Sequence, residues 1–173
     1  MIHQVRVLGP ADADDYRRVR LDALRLHPEA FGSAYEEEAA LNRAQIVERL
    51  SRPGLTRFGG FAQGTLVGLV GLSLGSGAKE RHKAHLFGMY VDSAHRGTGL
   101  ARQLVEAVIA TARTAGAVVL NLSVTAGNAP AQHLYRQMGF VRYGVEPRAY
   151  RVGGRYHDSE LMALDLDRSD RPP

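Results

Sequence analysis

The segment Met89-Tyr90-Val91-Asp92-Ser93-Ala94-His95-Arg96-Gly97-Thr98-Gly99-Leu100-Ala101-Arg102 passes from an apolar strand through a glycine-bearing turn into a long helix. Such a turn can hold an anion. Gly97 and Gly99 keep side chains away from the backbone, the first helical N–H groups lack intrahelical acceptors, and the helix dipole adds positive potential. Together these features suit a pyrophosphate, although an ordinary glycine-rich turn can carry the same letters. Spacing excludes two other phosphate cradles. A dinucleotide fingerprint needs a third glycine where Arg102 stands, and a P-loop needs Gly-Lys-Ser/Thr, which is absent. With no cysteine in the chain, thiolate nucleophiles, thiolate zinc sites, iron–sulfur clusters and disulfides are excluded as well.

Other suggestive letters carry less. Gly71-Leu72-Ser73-Leu74-Gly75 matches a hydrolase nucleophile elbow, but the serine should open a helix and Gly75-Ser76-Gly77-Ala78 reads as loop. His82 and His85 stand three residues apart on an extended segment, which puts them on opposite faces, so no metal is expected. Asn121-Leu122-Ser123 spells a glycosylation sequon inside a buried strand, where it would go unused. Arg17, Arg18, Arg20 and Arg25, with Arg142, Arg148, Arg151 and Arg155, lack the interleaved aromatics of an RNA platform, so nucleic acid is not an expected partner.

The elements that position these residues follow from periodicity. Residues 2–8 alternate as a strand, and Ala11–Leu26 carries Tyr16, Val19, Leu21 and Leu24 at helical steps, with Asp12, Asp14 and Asp15 in its opening turn. A loop through Glu36-Glu37-Glu38 leads to a short helix over Asn42–Leu50. Arg57–Ala62 and Leu66–Leu74 form a hairpin, Ala84–Val91 a further strand, and Gly97–Ala115 the longest helix. Val118–Val124 is a strand. Asn128–Met138 is a helix with Asn128 as cap, Pro130 in the first turn and Gly139 at the stop. Phe140–Glu146 and Tyr156–Leu166 close the domain as antiparallel strands across a loop at Pro147–Arg155. The expected fold is α/β (α+β), in the order β-α-α-β-β-β-α-β-α-β-β. About seven strands make a mixed, mostly antiparallel sheet flanked by about four helices. One domain spans residues 1–166, and 167–173 is a flexible tail.

Arg96, Gly99 and Ala101 satisfy the pattern Arg/Gln-x-x-Gly-x-Gly/Ala, and Asn128-Ala129-Pro130-Ala131-Gln132-His133-Leu134-Tyr135-Arg136-Gln137-Met138-Gly139-Phe140 matches Asn-x-x-Ala-x-x-Leu-Tyr-x-x-x-Gly-Phe. With both elements in this order the sequence resembles the GNAT superfamily of acetyl-CoA-dependent N-acetyltransferases. The resemblance implies that the backbone of Met89, Tyr90 and Val91 holds the acyl carbonyl and pantetheine amide. It implies that Arg96, Gly97, Thr98, Gly99, Leu100, Ala101 and Arg102 wrap the pyrophosphate. It further implies that Asn128 bonds the pantetheine arm and Tyr135 sits beside the thioester sulfur.

Chemistry adds to this. A phenol of pKa about 10 stays protonated at neutral pH and can protonate a leaving thiolate, so Tyr135 suits a general acid. On the helix pattern alone, beside Leu134 and Met138, it reads as packing; the second motif favours the acid. An alkylammonium acceptor, with a Lys-like pKa of about 10.4, must lose a proton before it attacks. His85, a glutamate of the 36–38 run such as Glu37, or a water relay could take it, and the sequence does not choose among them. Without cysteine, direct attack in a ternary complex is favoured over an acyl-enzyme.

The chain has 173 residues, 45% hydrophobic and 23% charged, enough for one domain with a proper core. Its formal charge is +4, from 22 Lys plus Arg against 18 Asp plus Glu. No uncharged apolar run approaches the roughly 18 residues that span a bilayer. The expectation is a cytoplasmic acetyltransferase, with no membrane association and possible homodimerisation, acting on a primary amine of a small molecule. The three glutamates near the acceptor side would favour a cationic substrate. The alternatives are a protein or peptide N-terminal acetyltransferase and a non-catalytic CoA-binding sensor.

Overall fold

The computed structural model describes residues 3–167. Met1, Ile2 and the tail from residue 168 lie outside the described residues, and with them the start of the first expected strand and nearly all of the expected flexible tail. Seven strands form one sheet in the order β1-β2-β3-β4-β5-β7-β6. They are β1 His3–Val7, β2 Leu55–Ala62, β3 Thr65–Leu74, β4 Lys83–Val91, β5 Val119–Thr125, β6 Val141–Val152 and β7 Arg155–Asp165. Every neighbouring pair is antiparallel except β4 and β5, which run parallel. The expected mixed, mostly antiparallel sheet is therefore present.

Helix α4, Leu100–Thr114, covers one face. Its three- and four-residue repeat buries Leu100, Leu104, Val105, Val108 and Ala112 against Val70, Leu72, Leu86, Leu120 and Leu122. Each fully buried Leu contributes about 1.5–3 kcal/mol. The helix can lie this close because β2 offers Gly60: a Cβ there would stand 2.6 Å from Leu100 Cδ1. Helix α1, Ala13–Leu26, and helix α3, Arg43–Ser51, cover the other face. Their Tyr16, Val19, Leu24, Ile46 and Leu50 pack with Phe61, Leu66, Leu69 and Tyr90.

Two expectations are corrected. The segment expected to be all loop between the first two helices contains a short helix, α2, over Tyr35–Ala39, so the described residues hold five α-helices, with α5 at Ala129–Gln137, where about four are expected. Three glutamates in its first turn suit the positive end of a helix dipole, which favours this turn of helix. Second, Pro147–Arg155 is not a loop. β6 continues to Val152 and turns at Gly153-Gly154. The register shift between Glu146 and Tyr150, with Arg148 at φ +54°, absorbs Pro147 without ending the strand.

Candidate active site

β4 and β5 pair only over Lys83–His85 and Val119–Asn121, then part. Beyond that point β4 also carries a bulge against β3, where the register slips between Leu69 and Gly71 and Gly88 takes φ +63°. The result is a cleft of about 730 Å³ running between the two strands. Met89, Tyr90 and Val91 form one wall, and Thr125 through Asn128 form the other.

At one end of the cleft lies the start of α4. The helix begins later than its periodicity suggests, at Leu100, because Gly99 adopts φ +88° as its N-cap, after Gly97 at φ +73°. The first backbone bond into the helix is Gln103 N to Gly99 O at 3.2 Å. The N–H groups from Gly97 through Arg102 therefore donate to nothing among the described residues. Such a run beside a helix terminus is an anion site in waiting. Side chains brace it. Arg96 Nε donates to Val91 O at 3.1 Å and its Nη2 lies 2.9 Å from His27 Nε2, while Thr98 Oγ1 donates to His95 O at 2.6 Å. Arg102 Nη2 donates to Gln137 Oε1 at 3.1 Å, tying α4 to α5.

Along the far wall, Asn128 caps α5 by accepting from Ala131 N at 3.3 Å, as its position in the sequence suggests. This leaves its amide nitrogen as the group available to the cleft. Tyr135, on the inner face of α5, is buried and lies edge-on to Phe140 with ring centroids 5.7 Å apart. Its hydroxyl has no protein partner among the described residues, and burial pushes the phenol well above its ordinary pKa. The ring lines the same cleft as Met89 and Gly99. Thus Met89, Tyr90, Val91, Arg96, Gly97, Gly99, Ala101, Arg102, Asn128 and Tyr135 gather on one cavity, whereas Thr98 and the fully buried Leu100 do not line it.

The expected bases do not join them. His85 is exposed on β4 before the strands part, and Glu37 is exposed on α2; neither lines the cleft. The next residue, Glu38, turns inward and pairs with Arg49 at 2.8 Å. What the cleft does hold is His27, Glu29, His95 and His157. His157 stands half-buried on β7 with no hydrogen-bond partner among the described residues, whereas His27 meets Arg96. A lone histidine on a strand carries no sequence motif, so nothing in the letters singled it out. Among the described residues no cluster of three or more His, Asp or Glu could hold a metal, and no helix is long and apolar enough to cross a membrane.

A parted parallel strand pair, a helix-mouth amide run without acceptors among the described residues, and a buried phenol meet on one cleft of an α/β fold. The chain belongs to the acetyltransferase (GNAT) family, whose model matches residues 18–140. It is 39% identical over 128 residues to N-alpha-acetyltransferase RimI of Mycobacterium tuberculosis, covering 73% of each chain. It is 36% identical over 85 residues to the L-methionine sulfoximine/L-methionine sulfone acetyltransferase of Pseudomonas paraeruginosa, covering 49% of each. The chain thus matches about half the length of that second relative. Its fold is similar to that of yncA from Salmonella typhimurium, solved with its cofactor acetyl-CoA, at TM-score 0.83 and 22% identity over 100% of this chain and 99% of that one.

Proposed function

We propose that this acetyltransferase moves the acetyl group of acetyl-CoA directly to a primary amine of a small molecule within a ternary complex. The observation that carries the reading is the meeting of two features on one cleft: the unpartnered N–H groups of Gly97–Arg102 and the phenol of Tyr135. In this reading the amides hold the diphosphate, and the parted edge of β4 at Met89, Tyr90 and Val91 binds the pantetheine amide and acyl carbonyl. Asn128 donates its side-chain amide to the pantetheine arm.

Tyr135 then gives its proton to the departing thiolate. Burial raises its pKa, so the phenol carries its proton throughout the neutral range. His157, a half-buried imidazole on the cleft whose side chain has neither a hydrogen bond nor an ion pair among the described residues, takes the proton from the acceptor ammonium; His95, the other cleft imidazole whose Nδ1 lacks a hydrogen bond, stands 4.0 Å from Asp92. The absence of cysteine, which leaves no thiol to carry the acetyl group, favours direct attack over an acyl-enzyme. A panel of primary amines assayed with acetyl-CoA and a thiol reporter tests this reading: amine-dependent CoA release supports it, and release with peptides alone contradicts it.

That second outcome is the reading favoured by the likeness to the RimI protein. In it the acceptor is a peptide N-terminus entering between the 3-10 turn at Pro28–Ala30 and the β6–β7 hairpin, which meet where Gly32 approaches the Tyr150 ring.

A further inference from the structure

A second cavity, of about 140 Å³, lies between α1, α2, α3 and strands β2 to β4. Its wall presents three guanidiniums, from Arg20, Arg49 and Arg57, against the single carboxylate of Glu38. Two of the three are committed within the protein. Arg49 Nη1 holds Glu38 Oε1 at 2.8 Å, while Arg57 donates through Nε to the Tyr16 hydroxyl at 3.2 Å and through Nη1 to the Arg49 carbonyl.

Arg20 has no such acceptor among the described residues. Its guanidinium stands over the Phe31 ring, 4.9 Å from the centroid. Burial lowers its pKa, with Arg57 and Arg49 acting in the same direction and Tyr16 and Glu38 opposing. A half-buried guanidinium with its fork of donors unused carries a cost, and a carboxylate can satisfy two of those donors side by side.

The position relates this group to the cleft. Arg20 Nη1 stands 3.9 Å from where a Cβ on Gly88 would lie, and Gly88 directly precedes Met89 on the cleft wall. Phe31, beneath the guanidinium, also lines the cleft. Arg20 lines the second cavity only, and Gly88 beside Met89 and the Phe31 ring beneath the guanidinium bring it next to the cleft wall.

We propose that Arg20 binds the carboxylate of the acceptor, so that the substrate is a small molecule carrying both a primary amine and an acid group. This rests on the acetyl-transfer reading above and replaces the cationic acceptor expected from the glutamate run. Glu38 is neutralised by Arg49, and the cavity it borders is basic. A peptide N-terminus, whose first carboxyl is an amide, does not supply this group.

The test is a matched set of amino acids and their primary amides, assayed with acetyl-CoA at constant ionic strength, together with calorimetric binding of the corresponding N-acetylated acids and amides. The expected result is kcat/KM at least 10-fold higher, and binding at least 10-fold tighter, for acids than for amides. Arg20→Gln abolishes this preference, Arg20→Lys restores part of it, and affinity for acetyl-CoA is unchanged in both. Equal treatment of acids and amides by the unaltered enzyme, or preference for acids persisting in Arg20→Gln, overturns the proposal while leaving acetyl transfer intact. Failure to bind acetyl-CoA overturns the acetyl-transfer reading and this proposal with it.

Discussion

Thr125 Oγ1 donates a 2.8 Å hydrogen bond to the carbonyl of Glu29, joining residues 96 positions apart across the gap where β4 and β5 separate. The end of β5 thereby fixes the 3-10 turn Pro28–Ala30 that roofs the cleft, and with it Phe31. Thr125→Val keeps the shape and removes the donor. The expected cost is about 1 kcal/mol. Faster amide hydrogen exchange across residues 27–33 and a raised acceptor KM should follow, with acetyl-CoA affinity unchanged. Unaltered exchange and KM would show that the bond does not hold the roof.

Tyr135→Phe removes the proposed acid and little else, because the ring packs on Phe140 and the hydroxyl has no protein partner among the described residues. We expect kcat to fall by about 10²-fold or more, with acetyl-CoA affinity nearly intact. Since burial raises the phenol's pKa, the parent enzyme should show no loss of kcat from phenol ionisation near pH 10. Equal rates in mutant and parent would remove Tyr135 from the chemistry.

His157→Gln should lower kcat/KM by about 10²-fold near neutral pH. The deficit should shrink as pH approaches an amine's own pKa, about 10.4 for a Lys-like group, because free amine then needs no base. A constant deficit across pH would indicate a positioning role instead.

Gly99→Val places a β-branched residue at φ +88°, a strain of about 1–3 kcal/mol at the mouth of α4. The site around that position is open, so the defect is conformational before any ligand arrives. Acetyl-CoA affinity should fall at least 10-fold by calorimetry. An unchanged affinity would locate the diphosphate elsewhere.

Asp12 accepts from Arg6 at 2.7 and 2.8 Å and from Gly9 N at 2.9 Å, which anchors β1 to the start of α1. The Arg6 hydrogen bond holds the Asp12 carboxyl below its ordinary pKa. The stabilisation is therefore complete above about pH 3.9, the unfolded value, and is lost as pH falls through the lower folded value. Arg6 is partly exposed and screened by solvent, so Asp12→Asn should cost about 1 kcal/mol at neutral pH and flatten the acid limb of a denaturant-midpoint curve.

The parts of the fold legible in the sequence are those with local signals. Asn128, Pro130 and Gly139 bracket α5, and the repeat from Leu100 to Ala112 marks α4. The candidate coenzyme wall is legible for the same reason, since strand, glycines and helix are consecutive. The proposed acceptor side is not. The parting of β4 from β5 is a property of two strands and has no local signature. Glu38 differs from Glu37 only in facing inward toward Arg49, and His157 reaches the cleft through the pairing of the last two strands. Likewise, α2 is a single short turn of helix whose three glutamates read equally well as solvated loop.

The central claim is that the backbone at the mouth of α4 holds the diphosphate of acetyl-CoA. Its most direct test is backbone amide NMR during a titration with acetyl-CoA. Saturable shifts concentrated at Gly97–Arg102, alongside Met89–Val91, are the predicted result. Saturation with those amides unmoved, or no binding by folded protein, would contradict it.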